Sequence, residues 1–236
     1  GDMDLAGALE IELGFGVQVE NDVNLAAIGE QWSGCASGVD NLVFVSLGTG
    51  IGAGIIVEGQ IIRGARGAAG ELGFLPFGAD PFDPNSLRTG ALERQAGSFG
   101  MINRYLELAG KEVKVKDLFD LAQAGDKHAD TVLEETARLV ARLIATVGAV
   151  VDPSMVVLGG SIGQRREFQE RIEVALAACF PNPIDIRRSE LGDHAALVGG
   201  AAVGLAHLHR TFFATGLNNV AFELSKFSAP AGRRTA

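Results

Sequence analysis

Several short segments carry residues whose types and spacing could do chemistry. In Glu20-Asn21-Asp22-Val23-Asn24, an aspartate stands where a strand is expected to give way to a helix. There Asp22 can accept a proton from a hydroxyl, and Asn21 beside it can orient that hydroxyl; Asp22 would equally serve as a plain helix cap. Gly48-Thr49-Gly50-Ile51-Gly52 follows an apolar run. Its glycines let backbone N–H groups converge on a phosphate, with the Thr49 hydroxyl as a further donor. The Gly-Lys-Ser/Thr ending of a Walker loop is missing, and an ordinary hairpin turn has the same composition. Glu71, within a glycine-rich loop, and Glu93, at the start of a helix, are carboxylates of the kind that accept pairs of hydroxyls from a polyol; each could also be a solvated or capping residue. Gly159-Gly160 closes the run MVVL, and in α/β folds ligands gather at such strand ends. The four histidines make no metal set; His207 and His209, two apart on an expected helix, face different ways and are expected at the surface.

These groups need elements to aim them. Val17–Val19 reads as a short strand, and a helix runs from Asp22 through about Ser33. Leu42–Leu47 is apolar throughout, as a buried strand is; Gly48–Gly54 turns, Ile55–Val57 returns, and Gly59 turns again toward Ile61–Ile62. Strand, glycine turn and strand without a helix between them describe a hairpin, not a dinucleotide-binding unit. Gly64–Asp83 is loop-rich. From about Arg88 to Val151 the pattern is helical, with breaks near Gly97 and Gly110, and the long helix from about Asp126 ends at Asp152-Pro153. Met155–Leu158 is a third buried strand. A helix over Arg166–Cys179, a strand near Ile184–Arg187 and a helix from about His194 to Phe212 follow, and Asn218–Ala236 is weakly patterned. Asp2–Leu13 reads as a helix with no preceding strand, so the chain is expected to begin inside a domain. The class is α/β with one composite sheet.

Composition narrows the functions. Of 236 residues 47% are apolar, enough for a substantial core, yet no apolar run reaches the roughly 18 residues that cross a bilayer. Gly1–Glu10 lacks the basic start of a signal peptide. Twenty basic against 29 acidic residues leave a net charge of −9, which repels phosphate backbones. Two cysteines are too few for a disulfide scaffold or a thiolate zinc site, and a reducing cytoplasm is expected. The 32 glycines fall in clusters between apolar runs, as phosphate loops and tight turns would require.

Together the segments VENDVNLAAIGE (19–30), LGTGIGAGIIVEGQIIRGARGAAGELGF (47–74), GALE (90–93), DPSMVVLGGSIG (152–163) and LVGGAAVGLA (197–206) resemble the ROK family of sugar kinases and sugar-responsive repressors. The resemblance implies the actin-like, ribonuclease H-like two-lobed fold of hexokinases around a sugar and nucleotide cleft. It implies that Asn21 and Asp22 are the sugar-binding pair, with Asp22 the base in kinases, and that Glu71 and Glu93 are further sugar contacts. It assigns Gly48, Thr49 and Gly50 to a phosphate loop, and Gly159 and Gly160 to the turn near the adenosine. Dimerisation is also a family expectation.

Two departures shape the reading. Many members carry zinc through H-x9-C-x-C-x4-C, but here those positions are Phe74, Pro84, Ser86 and Ala91, so no zinc is expected. The zinc-free loop ELGFLPFGADPFDP looks like the branch rich in regulators. The family's opening D-x-G-x-T strand-loop is not found, so the first lobe is expected to be incomplete: residues 1–85 as its remainder, 86–215 as the C-terminal lobe, 216–236 as a tail. On this basis the chain is expected to be the sugar- or sugar-phosphate-binding part of a ROK transcriptional regulator. It would reach DNA only through a winged helix-turn-helix domain outside this chain, and would need neither catalysis nor cofactor. The alternative is a sugar kinase moving the ATP γ-phosphate to a hexose hydroxyl, with Asp22 as base and ATP and magnesium required.

Overall fold

The computed structural model describes residues 4–213; the expected tail lies outside them. Helices α1 (Leu5–Leu13) and α2 (Asp22–Ser33) lead into strands β1 (Leu42–Leu47), β2 (Ile51–Val57) and β3 (Gln60–Ile62). Helices α3 (Pro84–Thr89), α4 (Glu93–Ala96), α5 (Ser98–Ala109), α6 (Val115–Gln123) and α7 (Lys127–Val151) follow. The chain then returns through β4 (Met155–Gly159), α8 (Gly160–Gly163), α9 (Arg166–Cys179), β5 (Asp185–Arg188) and α10 (Ala195–Phe213). One five-stranded sheet results, in the order β3-β2-β1-β4-β5. Strands from either side of residue 85 share it, and residues 85 and 86 lie within α3, so the division expected there follows no break in sheet or helix.

The apolar run of β1 is buried on both faces. Successive side chains of a strand point to opposite sides. Val43, Val45 and Leu47 of β1, with Val156 and Leu158 of β4, therefore pack under α5, α6, α7 and α9. Leu42 and Phe44, with Met155, Val157 and Ile56, face α2 and the start of α10. Helix α7 sends one stripe into the first of these cores, from Val132 through Ile144 to Val147. Asp126 caps it at the front, and Asp152, at φ 51°, ends it ahead of Pro153.

Three local expectations need correction. Val17–Val19 forms no strand; its first amide is taken instead by the Glu10 carboxylate at 2.9 Å. The hairpin turn is Gly48–Gly50 alone, because Gly52 and Gly54 pair across the ladder with Ser46 and Phe44. His207 and His209 are half-buried rather than at the surface, and His207 lies against the Gly16 backbone.

Helices α2 and α10 cross in near backbone contact. A Cβ on Gly29 would stand 2.2 Å from the Ala195 carbonyl oxygen, and one on Gly199 1.8 Å from that of Leu25. Beside this crossing the Glu30 carboxylate is fully buried. Ser189 Oγ and the Leu191 amide (3.0 Å) donate to one oxygen, and the Cys35 amide (2.9 Å) donates to the other. Burial, with the Glu30 charge adding to it, pushes the Cys35 thiol up to about 12. Among the described residues no helix is long and apolar enough to cross a membrane.

Candidate functional site

The first wall of the site is the start of α2. Asn21, not Asp22, caps the helix: its side-chain oxygen accepts from the amides of Val23 (2.9 Å) and Asn24 (3.1 Å). Asp22 is the first helical residue, exposed, with one oxygen on the Val23 amide at 2.9 Å. The capping alternative for Asp22 thus falls to its neighbour. The positive end of the helix dipole favours a carboxylate at this place. Behind it Glu20 accepts from the Asn21 amide, from Asn24 Nδ2 at 2.8 Å and from Arg63 Nε at 2.6 Å. Burial pushes the Glu20 carboxyl up, but the bonds from Asn24, Arg63 and the Asn21 amide outweigh it and hold it below the usual range.

The second wall is the β1–β2 turn and what fastens it. The Gly48 carbonyl accepts from both the amide (3.0 Å) and the hydroxyl (2.8 Å) of Ser98, the first residue of α5. Glu93 reaches in from α4, and the Ile51 amide donates to its Oε2 at 2.8 Å. A Cβ on Gly50 would sit 2.9 Å from that same oxygen, so the glycine makes room for the carboxylate. The loop bearing Glu71 is pressed onto β2: Ala53 N–H donates to the Gly70 carbonyl at 2.7 Å. A side chain on Gly70, at φ 93°, would stand 1.9 Å from the Ala53 oxygen.

These walls enclose one cavity of about 310 Å³. Asn21, Asp22, Glu71 and Glu93 all line it, as do Gly48, Thr49 and Gly50. Gly159 and Gly160 do not; their turn stands behind Gly48, whose Cβ position is 3.6 Å from Ser161 Oγ. Among the described residues the lining holds three carboxylates and no Lys, Arg or His. Such a site can accept hydroxyl protons and hydrogen bonds on one side and offer backbone donors on the other. Glu20, Asn24, Arg63 and Ser98 escaped the sequence reading as supports. Glu20 and Asn24 are four apart, a spacing that pairs side chains on a helix, but Arg63 and Ser98 act over 43 and 50 residues, with no local signature.

A family model described as "ROK family" matches residues 1–207. A glucokinase of Halalkalibacterium halodurans is 31% identical over 84% of this chain and 66% of its own length. The bifunctional enzyme NanE/NanK of Brucella suis is 37% identical over 90% of this chain and 38% of its own. The chain thus spans less than two thirds of each. Among solved structures, the ROK hexokinase from Thermus thermophilus superposes with a TM-score of 0.78 at 32% identity, over 86% of this chain and 70% of that one. The fold is the actin-like one expected. The expectation of a regulator's effector domain is overturned, because relatives matched over most of the chain are named glucokinase and hexokinase. That expectation rests on the zinc-free loop, on the likeness of its ELGFLP segment to regulators and on the C-terminal tail, local features that the kinase-named relatives, matched over most of the chain, outweigh.

Proposed function

The chain belongs to the ROK family, and on that premise we propose that it carries the acceptor side of an ATP-dependent kinase acting on a neutral hexose. The observation that supports this most is the meeting of Asp22, Glu71 and Glu93 with the Gly48–Gly50 turn in one cavity to which the described residues bring no basic side chain. Carboxylates bind neutral hydroxyls well and repel an anionic sugar, so a sugar phosphate is disfavoured as acceptor. The names of the glucokinase and hexokinase relatives agree with this reading.

In this mechanism Asn21, Glu71 and Glu93 hold the sugar hydroxyls. Asp22 takes the proton of the attacking hydroxyl as the oxygen–phosphorus bond forms and the bond to the leaving diphosphate breaks. The amides of Thr49 and Gly50 and the Thr49 hydroxyl steady phosphate oxygens, the Gly48 amide being held by the Gly50 carbonyl at 3.1 Å, and the Gly159-Gly160 turn backs this loop from behind. Magnesium, carried by the nucleotide, supplies neutralisation of phosphate charge. It suits this donor set, since it keeps several waters and leans on substrate phosphates, and no cluster of three metal-binding side chains is found among the described residues. The full-length protein should turn over ATP in a coupled assay with neutral hexoses or N-acetylhexosamines, and not with hexose phosphates or uronic acids. Turnover confined to the anionic sugars, or none at all, overturns the reading.

A further inference from the structure

Glu93 opens a helix of only four residues, far too short to hold its own shape, yet its carboxylate must keep its place between two loops. Part of the support is backbone: the Leu92 amide donates to the Gly73 carbonyl at 3.0 Å. Buried Leu92 and Ala96 anchor the segment in the core, and the next side chain ties it to the loop on its other side. Arg94 Nη1 donates to Ser86 Oγ at 2.8 Å and stands 3.3 Å from Asp83 Oδ2. Ser86 is buried within α3, and Asp83 caps that helix, its Oδ1 accepting from the Asn85 amide at 2.7 Å. One guanidinium therefore ties the front and the middle of α3 to α4. Adjacent helical residues face different ways, and Arg94 does not line the cavity, so it cannot touch what Glu93 touches.

We infer that Arg94, through its clamp on Asp83 and Ser86, is a positioning residue that sets the Glu93 carboxylate for the sugar. The inference rests on the proposed role of Glu93 in the kinase reading. Its consequence is selective: loosening α4 disturbs one sugar contact and leaves the Asp22 wall as it was. The Asp83–Arg94 pair is about one third exposed on each side, so removing it weakens a brace without emptying the core.

The test uses the full-length protein with Arg94→Ala, Arg94→Lys, Glu93→Gln and the Arg94→Ala/Glu93→Gln double variant. Both KM values, kcat and the melting temperature are measured. Arg94→Ala is expected to raise the sugar KM about tenfold and to leave the ATP KM within about twofold. Lysine, which keeps a cationic donor, should recover most of the loss. The double variant should be no worse than Glu93→Gln alone within about twofold, because the two residues act as one unit. Asp83→Asn, which keeps the cap, gives a milder form of the same shift if Arg94→Ala does not fold. An unchanged sugar KM, parallel rises in both KM values, or additive losses in the double variant overturn the inference. A wild type without hexose-dependent turnover instead overturns the kinase reading, and this inference with it.

Discussion

The two ends of helix α2 both carry glutamates in hydrogen-bonded nests, and they are built on opposite plans. At the front, Glu20 is answered by a cation, Arg63, and by Asn24. The next carboxylate along, Asp22, has no basic partner among the described residues and lines the cavity. At the rear, Glu30 is buried and, among the described residues, answered by neutral donors, from Ser189, Leu191 and Cys35. At the rear one oxygen joins α2 to the segment before α10 and the other closes the turn that follows α2, whereas the front is braced so that one acid can be left available. A single helix thus serves as a fastening at one end and presents chemistry at the other.

The sharpest way to break this contrast is Asp22→Asn. If the front is chemical, turnover should fall about 10²–10⁴-fold, with stability unchanged within about 0.5 kcal/mol; steady-state kinetics beside a denaturant melt decides it. A variant that keeps turnover, or that unfolds readily, would erase the distinction.

Glu30→Gln should do the reverse. It replaces one acceptor oxygen by a donor among buried donors, at a cost of about 1–3 kcal/mol seen in the same melt, with kcat per folded molecule little altered. It also removes the charge that helps to hold the Cys35 thiol protonated. In the parent, alkylation at pH 8 followed by mass spectrometry should find Cys35 reacting about 10²–10³-fold more slowly than an ordinary thiol. In Glu30→Gln that rate should rise.

Arg63→Ala is the smallest perturbation, at most about 1 kcal/mol because the arginine is largely solvated. Its sign with pH is the informative part. Glu20 is held below its usual range, so its stabilisation is complete above about pH 4.3 and is lost as the pH falls through the lowered range. Melting temperatures at pH 7 and in acid should converge more in Arg63→Ala than in the parent. An identical acid drop in both would remove Arg63 from the account.

Much of this was legible in the residues. LVFVSL and MVVL read as buried strands by composition, the stripe from Val132 to Val147 reads as a helix face, and Asn21, Asp22, Glu71, Glu93 and the glycine turn stand out by type and spacing alone. Legibility failed where the deciding partner is distant. Val17–Val19 has strand composition, but Glu10 takes its amide. Gly52 and Gly54 look like turn residues, but their neighbours across the ladder make them strand. Arg63, Ser98 and Arg94 carry no local signature because each works on a residue that only folding brings near. The regulator expectation fails for a related reason: a zinc-free loop and a tail are local features, and the kinase-named relatives match most of the chain.

The pairing of β1 with β4 carries a cost in time. Asn41 and Ser154, whose hydroxyl closes the lower end of this ladder at 2.8 Å, are 113 residues apart. A ribosome adding about 5–20 residues per second needs roughly 6–20 s to cover that distance. Throughout that interval β1, the most apolar strand of the sheet, can pair with β2 on one side while its other edge stays open. An open apolar edge is a template for any extended chain nearby. The central strand that makes the finished sheet secure is, during synthesis, the place where the nascent protein is most exposed to mispairing.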